Sequence, residues 1–227
     1  MHTYEAAART SVPARRATQL LLVAGPFAGM LLLVVSGVDG ATRPGYEPMR
    51  HWISHLALGD RGWLGVANLV VSGTLLAASS FGLRRALDPR RAARWAARLV
   101  LLAGIGLVVS GVFRIDPGLN YPPGAQATHS LTGTVHDLAA IVVFSSLAGA
   151  SVLLGRSLQD VRGAAFFGQV IAAVVVLSII VCSALVALDY AGALPHAPSG
   201  FMERVAVFVG LAWFGAVATY LLRNPQR

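Results

Sequence analysis

An imidazole and a carboxylate stand side by side in the sequence at His136-Asp137, ahead of a long uncharged run, 138–155. Ionisable groups at membrane depth are costly and turn toward a bundle interior or an aqueous cavity, so this pair marks a candidate site for proton transfer. Seven residues upstream lies His129. At 3.6 residues per turn that spacing puts both imidazoles near one helix face, about 10.5 Å apart along the axis, too far for one metal ion to bridge. The spacing predicts an outward-opening groove lined by His129 and His136, with Asp137 as acid/base partner and Ser130, Thr132 and Thr134 as hydrogen-bonding neighbours. The alternative is that His136 bonds a neighbouring helix and only holds the bundle together.

His51-Trp52-Ile53-Ser54-His55 places two histidines at i, i+4, which suits metal binding if the segment is helical. It lacks the glutamate of a HExxH motif, and Trp52 beside Arg50 fits an interfacial anchor at headgroup level. Combined with Asp116, His129 or His136, the two histidines give a conceivable zinc or iron site. Asp116, before Pro117, either shapes its loop, pairs with Arg114 or points its carboxylate into the groove. Asp60-Arg61 suggests a local interfacial ion pair of little energetic weight.

These groups are positioned by a bilayer. Of 227 residues 56% are hydrophobic and only 12% charged, against about 25% charged in soluble domains. Uncharged runs cover 17–38, 62–83, 99–113, 138–155, 163–188 and 205–222. Arginines can snorkel from helix ends, so the third run extends back to near Ala92 and the fourth to near Thr128, which brings His136 and Asp137 into the membrane. Runs of this length without alternation form helices, not barrel strands. The expected fold is all-α: one six-helix transmembrane domain over 1–227, with tails at 1–16 and 223–227. Pro26 is the one proline well inside a span and is expected to kink the first helix.

Arginines divide 13 to 5 between the two sides of this arrangement. The positive-inside rule then puts both termini in the cytoplasm, with the loops after the first, third and fifth helices facing outward. The first run is too long for a signal-peptide h-region and lacks a clear cleavage site, so it reads as a retained helix. No repeat and no second broken helix supports an inverted-repeat transporter.

All 18 basic residues are arginine, which excludes lysine chemistry such as a retinal Schiff base. The single cysteine, Cys182, permits no intramolecular disulfide and reads as a small packed hydrophobe. The net charge of +8 resides beside the membrane segments, which points to lipid headgroups and topology, with no nucleic-acid partner.

Taken together, His51-x-x-Ser54-His55-Leu56, Gly62-Trp63, Gly111-x-Phe113-x-x-Asp116-Pro117, Tyr121-Pro122-Pro123-Gly124, Gly133-x-x-His136-Asp137 and Phe144 resemble the domain-of-unknown-function 998 family of bacterial integral membrane proteins. That family often carries proline after the phenylalanine, where this chain has Arg114. The resemblance implies a polytopic helical protein with no settled biochemical activity, and it stresses Asp116 and His136.

Three function classes fit the sequence. The first is a membrane-embedded enzyme acting on a lipid, an isoprenoid or another apolar small molecule, with His136, Asp137, Asp116 and His129 as its acid/base residues. A terpene-cyclase-like role is a subtype, against which 8% aromatics weigh. The second is a binding protein holding haem or a metal between His51 or His55 and His129 or His136. The third is a non-catalytic accessory subunit. Of these the enzyme is favoured; the cofactor, if any, is unknown from sequence.

Overall fold

The computed structural model describes residues 2–87 and 90–224, with side chains from residue 14 onward within those ranges. Six helices follow in order: α1 (His2–Ala41), α2 (Gly62–Ala86), α3 (Arg91–Val112), α4 (Leu131–Ser157), α5 (Ala164–Tyr190) and α6 (Ser199–Arg223), with a short 3-10 helix at Ile53–Ala57 before α2. All six are long and apolar enough to cross a membrane, and the described residues contain no strand. The expected tails fall partly outside this description: the side chain of Arg9 and residues 225–227, Arg227 included, are not among the described groups. α1 continues as helix through Pro26.

Two helix starts differ from the expected ones. Ser130 has an extended backbone and its hydroxyl accepts the Gly133 N–H at 3.0 Å, so it is the N-cap of α4, and the helix begins at Leu131 rather than near Thr128. His129 therefore precedes the helix, and its expected alignment with His136 on one helical face does not form. α6 begins at Ser199, six residues before the expected 205, which carries Glu203 into the helix.

Consecutive helices pack in turn, α6 returns against α1, and α4 also touches α6. The leucines Leu22, Leu32, Leu76, Leu83 and Leu154 are almost wholly buried between them. Small residues set the closest approaches. A Cβ on Gly168 of α5 would collide with the Ser151 carbonyl of α4, and one on Gly155 would collide with that of Ala164. α4 and α5 thus meet backbone to backbone at one end.

At the opposite end the α1–α2 loop is tied down by charges. Arg43 bonds the Asp39 carboxylate through Nε and Nη2 at 2.9 and 2.7 Å, and its other donors reach the Leu58 and Arg61 carbonyls. Arg61 pairs with Asp39 at 2.8 Å, so the expected Asp60–Arg61 pair gives way to a longer-range one. Arg50 clamps Asp189, at the end of α5, at 2.7 Å.

Candidate functional site

A cavity of about 340 Å³ lies between the helices at the α1–α2 loop end. Its floor is apolar, with Leu32, Leu69, Leu107, Val143 and Val207. It includes Asp137 and Ile141 of α4 and Ser183 of α5, all three exposed on the outside of the bundle, so it opens laterally between α4 and α5. This is where those helices diverge from their tight contact at Gly155 and Gly168.

His136, Asp137, Glu203 and the Cys182 thiol are the ionisable side chains that line this cavity. His136 is 3% exposed, and its Nδ1 lies 2.9 Å from the carbonyl oxygens of both Ser110 and Phe113 at the end of α3. Two acceptors on one nitrogen require that Nδ1 carry the hydrogen, which in the neutral ring leaves Nε2 with a free lone pair. The ring is thus an interhelical tie whose second nitrogen is not used by it. Glu203 accepts the Ile53 N–H through Oε2 at 2.6 Å, which fixes one carboxyl oxygen against the loop. The indole N–H of Trp52 is buried without a partner of normal hydrogen-bond geometry, with the Cys182 thiol as neighbouring polar group. Trp52 is therefore a cavity wall, stacked on His55 at 5.2 Å between ring centroids, where an interfacial anchor was expected.

The other expected site residues lie elsewhere. Asp116 accepts both the N–H and the hydroxyl of Ser130 at 2.6 Å, against Gly133, where a side chain would strike the carboxylate. It thereby holds the start of α4 instead of pointing into a groove or pairing with Arg114, and these bonds keep its pKa below the usual carboxylate value. His129 is exposed and outside the cavity.

His51 and His55 do not form a helical i, i+4 pair, because the 3-10 helix starts at Ile53. Both are buried rather than interfacial. His51 Nδ1 accepts the Glu47 N–H at 2.8 Å and its Nε2–H donates to the Leu119 carbonyl at 3.0 Å. His55 Nδ1 accepts the Trp52 N–H at 3.0 Å, which places its hydrogen on Nε2. Burial, reinforced by the charges of His51 and His136, depresses the His55 pKa to about 3, and burial lowers that of His51 as well. With Tyr46 and Tyr121 the two rings form a tilted aromatic cluster that knits the loops together. Among the described residues, no three His, Cys, Asp or Glu side chains converge as metal ligands.

The family described as Protein of unknown function (DUF998) matches residues 26–220. The chain belongs to that family. No curated protein and no solved structure matches it. This DUF998 protein is thus a multi-pass membrane protein of a family without an assigned reaction, and its site has to be read from its own chemistry.

The chamber combines a fixed imidazole and two carboxyls with a largely apolar lining, into which Ser54, Ser110, Ser145, Ser183 and Cys182 also enter. Glu203 is the member absent from the sequence-based set. Its signal was present, since Pro198 and Ser199 mark a helix start and put Glu203 one turn inside.

Proposed function

We propose that this DUF998 protein is a membrane-embedded enzyme that admits the polar end of a lipid or isoprenoid-type molecule between α4 and α5 and carries out acid/base chemistry on it. The single observation that supports this is the lateral cavity, whose apolar wall is interrupted by His136, Asp137 and Glu203. His136 Nε2 serves as base, and Glu203 or Asp137 supplies or takes the matching proton. Asp116 and His129 act outside the chemistry, one by capping α4. The arginine bias supports a cavity toward the outer face of a bacterial cytoplasmic membrane. Trp52 and Phe144 are the aromatic residues of the lining, which favours proton transfer at a headgroup over cyclisation of an alkene. A haem or metal reading is weaker, because a ligand bond to His51 or His55 displaces the hydrogen bonds both rings make.

Native mass spectrometry of the detergent-purified protein beside a denatured control tests occupancy. A stoichiometric lipid or prenyl adduct, lost when Ser183→Trp fills the opening, is the expected result; a bare chain mass overturns it. Incubation with a bacterial lipid extract then tests turnover. Wild type should alter at least one lipid species that His136→Asn leaves unchanged, and identical profiles reduce the site to binding.

A further inference from the structure

At the end of the bundle opposite the cavity, α2 and α3 separate after their backbone contact at Gly73 and Gly104. The gap is a cleft of about 160 Å³ lined by Ser80, Phe81 and Arg84 of α2 and by Arg94, Ala97, Arg98 and Leu101 of α3. Arg94, Arg98 and Leu101 follow one another at i, i+4, i+7 and so occupy one face of α3. Arg84 faces them one turn beyond Ser80. The Arg98 guanidinium rests over the Trp95 ring, 4.8 Å from its centroid, which holds the charge at the cleft edge. Phe81 and Trp95 are exposed beside it, as is Leu102 below, so the basic rim continues into an apolar, lipid-facing surface.

We propose that this cleft is a binding site for the phosphate of an anionic phospholipid, with the acyl chains lying along Phe81 and Leu102. Arginine forks match phosphate oxygens bidentately, and the exposed Arg84 and Arg98 side chains can reach a headgroup at the membrane surface. The guanidinium groups of Arg84 and Arg98 at the cleft carry more positive charge than the single phosphate of a zwitterionic headgroup balances, which selects a lipid of net negative charge. Ser80 adds no donor, because its hydroxyl is committed to the Ala77 carbonyl at 2.7 Å. The site is independent of the α4–α5 cavity.

The test uses the full-length protein in phosphatidylcholine nanodiscs doped with phosphatidylglycerol, with retained lipid counted by native mass spectrometry. Wild type should retain phosphatidylglycerol over phosphatidylcholine. The variant Arg84→Gln/Arg94→Gln/Arg98→Gln should lose that preference by about tenfold or more, while Arg156→Gln/Arg162→Gln/Arg223→Gln, equal in charge removed and outside the cleft, should keep it. The single exposed substitution Arg98→Gln covers the case in which the triple variant does not fold, and should weaken retention measurably. Equal loss in both triple variants, no headgroup preference in wild type, no change in Arg98→Gln, or displacement of the lipid by millimolar inorganic phosphate each overturns the proposal.

Discussion

His136 of α4 and Ser110 of α3 are joined at 2.9 Å, imidazole Nδ1 to backbone carbonyl, and the same nitrogen reaches Phe113 at 2.9 Å. The acceptors belong to the last turn of α3 and to its C-cap residue, where carbonyls have no helical partner. The residue we propose as the base is therefore also a helix C-terminal tie, and its substitutions separate the two roles. His136→Ala removes the donor and leaves a void, so thermal unfolding in detergent should register a loss of about 2–4 kcal/mol. His136→Asn can keep a donor near Nδ1, so it should retain most stability while losing the Nε2 lone pair. If both variants unfold alike, the tie depends on the ring itself.

Glu203 invites a similar comparison. Glu203→Gln preserves an oxygen for the Ile53 N–H, so its melting temperature should stay near wild type. Glu203→Ala strands that N–H and should cost about 1–3 kcal/mol. Two indistinguishable melting curves would show that the hydrogen bond contributes nothing to folding.

The buried histidines give stability a slope with pH. His55, with a folded pKa of about 3, stays neutral where an unfolded histidine, near 6.5, takes up a proton. The unfolded chain then binds more protons across that interval, so the stabilisation is complete above about pH 7 and is lost as pH falls below 6.5, by on the order of 1 kcal/mol per unit. His51 acts in the same direction. Melting temperatures from pH 7.5 to 5 should fall in wild type and fall less in His55→Gln; parallel curves would contradict the assignment.

Asp116 works at lower pH. Its pKa is depressed by the Ser130 bonds, so its stabilising effect is present above the ordinary carboxylate value and is lost as pH falls through the folded one. Between pH 5 and 3 the stability difference between wild type and Asp116→Asn should shrink. Hydrogen exchange at the first turn of α4 would locate the effect, and equal exchange in the two proteins would remove Asp116 from that role.

Gly168 predicts the tightness of the α4–α5 crossing. Gly168→Val places a branched side chain against the Ser151 carbonyl and should lower stability by at least about 2 kcal/mol, whereas Gly163→Ala tests a turn with positive φ and no such contact. Unchanged melting of Gly168→Val would mean the helices do not meet there.

The six spans were legible because hydrocarbon imposes one simple demand, an uncharged run of sufficient length, and each run shows it. The membrane histidine was legible for the same reason. Less visible was what each polar group bonds. Ser130 is a strong capping residue, and taking it as the start of α4 removes His129 from the helix. Nothing local indicated that Asp116 reaches across fourteen residues to that cap, or that His51 and His55 are buried among tyrosines rather than set at an interface. Such partners come from loops folding back over the bundle, a long-range outcome that spacing along one segment does not encode.

The opening between α4 and α5 faces sideways, while the cavity behind it is small and has its polar groups at one end of the bundle. A guest entering there leaves everything beyond its first few atoms in the surrounding hydrocarbon. The protein would then inspect a headgroup without measuring a tail, and homologous amphiphiles of different chain length should compete for it as equals.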